Sequence, residues 1–171
     1  MKTRFYYLIV ISSIFMLFNS NCNNEDDISE TYNLVCGKWS VTNIQFEVTV
    51  GGQSYVDYLM DTYGFTEGEA QVQLEETENS YRESWTGTMN FKQDGNYEFD
   101  IGGKSFTGAW ALSDDEKTIH VLLLRQYMNF DIVSVDEKMM KLRFDQVYYA
   151  DIDDDGNMEA IDYNNDFTLE K

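Results

Sequence analysis

The chain contains no proline. Its turns must be made by Gly, Asn, Asp and Ser, which reach tight-turn dihedrals or bond their own backbone. Cysteine is nearly as scarce, with only Cys22 and Cys36, and His120 is the single histidine. No G-x-S-x-G, H-E-x-x-H or Cys-x-x-Cys pattern is present. Positive charge is also short. Twelve basic residues stand against 31 acidic ones, a formal charge of −19. A surface this acidic repels phosphate backbones, so no nucleic-acid partner is expected. It favours divalent cations wherever carboxylates converge.

At 171 residues the chain has room for one domain with a sizeable core. The start of the chain gives an address. Lys2 and Arg4 precede FYYLIVISSIFMLF, a largely apolar run over 5–18. That run is shorter than the roughly 20 residues a membrane-spanning helix needs. A charged start followed by a short apolar run reads as a secretory signal peptide. A buried core helix would carry a polar face, and only Ser12 and Ser13 interrupt this run.

The next stretch, NSNCNNEDD over 19–27, resembles a bacterial lipoprotein signal. The resemblance implies that residues 1–21 are removed and that Cys22 is acylated as the first mature residue. Asn21 departs from the Gly, Ala or Ser that the family prefers there. Glu25, Asp26 and Asp27 resemble the tether that sends some Gram-negative lipoproteins to the outer face of the outer membrane. A plain acidic linker has the same composition. The expected location is therefore the cell envelope, with the outer membrane as partner through lipidated Cys22. Several acyl chains on one cysteine anchor stably. Cys36 is then left without a disulfide partner and reads as a small packing residue.

Residues 22–33 are polar and read as a tether, leaving 34–171 as the domain. From Gly37 the pattern has period two. Ile44, Phe46, Val48 and Val50 alternate with polar residues, as a half-buried strand requires. Met89 and Phe91, then Tyr97, Phe99 and Ile101, flank the turn QDGN at 93–96. Phe106, Gly108, Trp110 and Leu112 share a face, as do Ile119, Val121 and Leu123. A strand over 128–135 leads through Asp136-Glu137-Lys138 to Met140, Leu142 and Phe144. Residues 163–166 read as a turn, and 166–171 close the chain. About eight strands joined by tight turns predict an all-β, antiparallel, up-and-down barrel. Helices interrupt this order near 54–80. Thr66 and Glu69 form a capping-box pair that predicts a helix over 67–79, with a weaker one over 54–62. Both are expected outside the barrel or across one mouth.

Gly37-Lys38-Trp39 resembles the Gly-x-Trp that opens the first strand of lipocalins. The order NFKQDGNYEF, then GAWALSDDEKTIHVL, is similar to bacterial lipocalin-like lipoprotein domains over roughly 34–149. The resemblance implies a cup that holds a small apolar ligand. Trp39, Trp85, Trp110, Phe91, Phe99, Phe106 and Phe144 either line such a cup or fill a dry core. Spacing does not separate the two.

DIDDDGNMEAID, residues 151–162, is the sharpest chemical signal. A calcium loop needs oxygens at positions 1, 3, 5, 7, 9 and 12, with glycine at 6. Counting from Asp151 places Asp153, Asp155, Asn157, Glu159 and Asp162 at the remaining ligand positions, and Gly156 at the sixth. The stretch resembles EF-hand and dockerin loops, although no helices flank it. Ca2+ is the cofactor this pattern implies, and a solvated acidic turn is the alternative. His120 lies among apolar strand neighbours and has no catalytic partner in the pattern. The function expected is an anchored binding or surface-interaction protein. An apolar-ligand carrier without a metal, or a hydrolase, are the alternatives.

Overall fold

In the computed structural model, residues 29–123, 126–153 and 156–171 are described. The elements are α1 (Glu30–Val35), β1 (Gly37–Val50), β2 (Gln53–Ser54), α2 (Tyr55–Tyr63) and α3 (Glu67–Trp85). They continue as β3 (Gly87–Phe91), β4 (Asn96–Ile101), β5 (Lys104–Leu112), β6 (Thr118–Leu123) and β7 (Gln126–Val135), then β8 (Met139–Ala150) and β9 (Glu159–Glu170). Consecutive strands from β3 to β9 pair antiparallel. β1 is shared. Gly37–Ser40 pairs with β3, and Ser40–Val50 pairs with β9. The sheet therefore closes into an eight-stranded antiparallel barrel, as the period-two pattern predicts, and β2 adds a short rung to the end of β1. Closure removes free sheet edges.

The alternating residues face inward. Ile44, Phe46, Val48 and Val50 on β1 are buried, as are Tyr97, Phe99 and Ile101 on β4 and Met140, Leu142 and Phe144 on β8. The rings pack on one another. Phe91 meets Phe99 at 5.2 Å and Trp110 at 5.3 Å between centroids. Trp85, at the end of α3, lies against Phe130, Phe144 and Phe167 at 6.1, 5.9 and 5.2 Å. Edge-to-face pairs of this kind add about 0.5–1.5 kcal/mol each beyond their area. Aromatic side chains thus fill the barrel interior, and the end of α3 crosses one mouth.

Three local expectations change. α3 runs past the predicted end at 79 to Trp85, because Tyr81 and Trp85, one turn apart, dock into the mouth and outweigh the polar NS-RES residues around them. Residues 30–33, read as tether, are the first turn of α1. Ser29 accepts the Tyr32 N–H as its cap, the Tyr32 ring stacks on Trp110 at 4.7 Å, and Val35 is buried. Residues 163–166, read as a turn, lie inside β9. That strand pairs on both sides, and the amide of buried Asn165 donates to the Phe144 carbonyl at 2.8 Å. Pairing with two neighbours overrides the turn preference of Asn and Asp. The signal peptide at 1–21 and Cys22 lie outside the described residues.

Candidate functional site

The connection between β8 and β9 is built on hydrogen bonds from its own backbone. Gly156, at φ 89°, turns its N–H onto Asp151 Oδ2 at 3.0 Å. The Ile152 N–H donates to Glu159 Oε2 at 3.0 Å. The Tyr63 hydroxyl, at the end of α2, donates to the Ile152 carbonyl and ties the loop to that helix. With the loop curled this way, Asp151, Asp153 and Glu159 each bring a carboxylate oxygen within 4.8 Å of the others. Asp151 is exposed and Glu159 is half-buried. Two oxygens bound to one calcium at about 2.4 Å lie no more than about 4.8 Å apart, a condition that each pair of the three meets.

Asn157 stays in the connection itself. Asp155 lies outside the described residues. Asp162 sits within β9, opposite Thr49 and Val147, and its Oδ2 accepts the Thr49 hydroxyl at 3.4 Å. It does not join the converging three. One neighbour has no counterpart in the linear spacing. Tyr58 on α2 is only 6% exposed, and its hydroxyl makes no hydrogen bond of ordinary geometry among the described residues. Burial pushes its phenol up to about 12; Tyr63, Asp153 and Glu159 add to the shift, and Thr62 offsets a little. Tyr58 precedes the loop by a long stretch of chain, so only the fold brings it there.

The same hairpin forms one wall of an open groove of about 740 Å³. Gln146 and Tyr148 of β8 and Ile161 and Tyr163 of β9 face Gln73, Glu76, Thr77, Ser80 and Ser84 of α3 across it. Phe46 and Tyr81 lie at its base, 4.6 Å apart between centroids. Tyr81 stacks on Tyr163 at 6.4 Å with the rings 9° from parallel, and Tyr148 meets Tyr163 edge-on at 5.6 Å. Burial raises the Tyr81 phenol well above its ordinary range, with the Trp85 indole pulling back slightly.

Two remaining residues are placed plainly. His120 Nδ1 lies 2.8 Å from Asn129 Oδ1, its partner across β6 and β7. Cys36 is a half-buried free thiol; burial raises its pKa, while Lys171 nearby lowers it. A raised thiol is a poor nucleophile at neutral pH.

No family model and no curated protein matches the chain. A solved structure of a DUF4847 family protein from Bacteroides vulgatus is similar at 11% identity, covering 76% of this chain and 92% of that one, with a TM-score of 0.36. Among the described residues, no helix is long and apolar enough to cross a membrane.

Proposed function

We propose that this is an exported, lipid-anchored binding protein of the cell envelope whose β8–β9 loop holds a structural calcium ion. The observation that carries the calcium reading is the convergence of Asp151, Asp153 and Glu159 within 4.8 Å. In a chain of charge −19, three carboxylates this close repel one another unless a cation or protons intervene. Calcium supplies that charge and takes oxygen ligands in flexible geometry. Waters or backbone carbonyls complete the six to eight oxygens it prefers. Affinity on the order of 0.1 to 1 mM is expected, the range of extracellular modules.

Anchoring rests on the lipoprotein-like signal that ends at Cys22. The binding role rests on a barrel compatible with ligand carriage. The interior is filled by rings, so a small apolar ligand would have to displace the Trp85 end of α3 to enter. No catalytic role is assigned to any residue.

Calorimetric titration of the purified chain with calcium tests the site. Saturable binding is expected, lost in Asp151→Ala and weaker with magnesium. Absence of heat, and of any melting shift, at several millimolar calcium would reduce the loop to a solvated turn. The anchor is tested by fractionation: Cys22→Ser should leave the membrane fraction for the soluble one.

A further inference from the structure

The flank of α3 that borders the β8–β9 hairpin across the groove is polar. Gln73, Glu76, Ser80 and Ser84 lie three or four residues apart along it, with Thr77 beside Glu76. A helix stripe facing the rest of its own domain is ordinarily apolar. On α3 that stripe is Ala70, Leu74, Tyr81 and Trp85, buried or half-buried, whereas Gln73, Glu76, Ser80 and Ser84 are exposed. Tyr81 and Trp85 dock the helix on the barrel, and the exposed polar flank borders the groove.

The two walls differ in chemistry. The hairpin side and base present rings: Tyr148, Tyr163, Phe46 and Tyr81. Tyr148 is 49% exposed, so much of its ring is open to a ligand. The helix side presents hydroxyls, an amide and one carboxylate. Gln73 Nε2 donates to Glu76 Oε2 at 3.3 Å, which fixes the amide and the carboxylate against each other. Thr77 and Ser84 donate to helix carbonyls and keep their oxygens as acceptors. The side chains of Ser80 and Gln146 make no hydrogen bond among the described residues.

Each ligand class meets this lining differently. An anion finds no Lys, Arg or His in the walls and approaches a chain of charge −19. A wholly apolar molecule would strip water from Gln73, Glu76, Ser80 and Gln146 without replacing their hydrogen bonds. An organic cation would meet one carboxylate, already engaged by Gln73, and one open ring, that of Tyr148, since Tyr163 is covered by Tyr81. A neutral polyol with a flat C–H face satisfies both walls. Its apolar face lies on Tyr148, and its hydroxyls exchange hydrogen bonds with the amides, hydroxyls and carboxylate. The volume lies within the range of ordinary ligand pockets, about 300–1,000 Å³.

We propose that the groove between α3 and the β8–β9 hairpin binds a short neutral oligosaccharide, stacked on Tyr148 and hydrogen-bonded by Gln73, Glu76, Ser80 and Gln146. The proposal deepens the reading of the chain as a binding protein and is independent of the calcium site and of the anchor.

The test is calorimetry of the purified chain against maltohexaose, xylohexaose, laminarihexaose, mannohexaose and chitohexaose, with spermine and lauric acid as contrasting probes. Saturable binding of at least one oligosaccharide is expected. Tyr148→Ala and Gln146→Ala should each weaken it by about tenfold or more without lowering the melting temperature. Tyr127→Ala, at a 79% exposed position on β7, should leave it unchanged. Saccharide binding that survives both groove variants overturns the proposal. Binding of spermine or lauric acid alone, lost in Tyr148→Ala, overturns the saccharide class but keeps a binding protein. No binding of any probe at about 10 mM overturns both.

Discussion

The ammonium of Lys171, the last residue, lies 4.3 Å from the centroid of the Trp39 ring near the start of β1. It also donates to the Leu34 carbonyl at 2.9 Å. The Trp39 indole N–H donates in turn to the Val35 carbonyl at 2.7 Å. Lys171 is thus clasped over the start of β1, at the seam where β1 and β9 close the barrel. The clasp leaves little room at Gly37, which has φ 131°; a Cβ there would meet Lys171 Cε at 3.1 Å.

Lys171→Met keeps the stem over the tryptophan and removes the charge. It should lower stability by about 0.5–1 kcal/mol, the worth of an exposed cation–π contact. Gly37→Ala should cost about 1–3 kcal/mol, because its backbone lies where a side chain is strained. Urea unfolding measures both. If Lys171→Met unfolds at the wild-type midpoint, the clasp contributes packing alone.

Trp85 should be the most costly single truncation on α3. Its ring touches three phenylalanines from β7, β8 and β9. Trp85→Ala should destabilise by about 3 kcal/mol or more, through lost area and the cavity left behind. It should also free the end of α3, so hydrogen exchange along 80–85 should accelerate more than exchange in β4. Equal acceleration everywhere would mean that the helix end is not separately anchored.

How much of this was legible in the sequence follows from the kind of information each feature uses. Ile44, Phe46, Val48 and Val50 declare their strand by alternation alone, and Thr66 with Glu69 declares a helix start through a local reciprocal hydrogen bond. The barrel could therefore be predicted. Asn164, Asn165 and Asp166 could not be read as strand, because their conformation is set by β1 and β8 on either side. Tyr32 and Val35 belong to the same class. Their helix is worth forming because Trp110 and the core lie beneath it. At the site, the spacing of Asp151, Asp153 and Gly156 is visible in the chain. Tyr58, Tyr63 and the polar face of α3 acquire meaning only when the helices fold back beside the hairpin.

Calcium should raise stability in a manner that separates the three converging carboxylates from Asp162. With a dissociation constant on the order of 0.1 to 1 mM, about 10 mM calcium should stabilise by roughly 1.4–2.7 kcal/mol through mass action. Asp151→Asn and Glu159→Gln should abolish most of that gain. Asp162→Asn should keep it, since Asp162 of β9 pairs with Thr49 of β1 and stands outside the cluster. Thermal unfolding with calcium and with a chelator gives the comparison. Equal loss in all three variants would place Asp162 in the coordination sphere and require the start of β9 to rearrange.

The acid side of the stability profile should be governed by the turns that replace proline. Asp94 accepts the Asn96 N–H, Asp115 accepts from Ser113 and Lys117, and Asp136 accepts the N–H groups of Lys138 and Met139. These bonds, from the Asn96 and Ser113 side chains foremost in the first two and from the Lys138 backbone in the third, hold each carboxyl below its usual range. The Thr66 backbone does the same for Glu69 at the start of α3. A lowered folded value means that the unfolded chain binds more protons in that interval, so stability rises with pH across it. The contribution is complete above the ordinary carboxylate values, about 3.9 for Asp and 4.3 for Glu, and is lost as pH falls through the folded values. The charge of −19 acts in the opposite sense nearer neutrality, where protonating other carboxylates relieves repulsion. Stability should therefore rise slightly on mild acidification and then collapse. Asn at 94, 115 and 136 keeps an acceptor oxygen and removes the titration. The triple variant Asp94→Asn, Asp115→Asn, Asp136→Asn should show a flatter acid limb when urea midpoints are followed from neutral pH to about pH 2 in the presence of a chelator. An acid limb superimposable on that of the unaltered chain would mean that carboxylates elsewhere control acid unfolding.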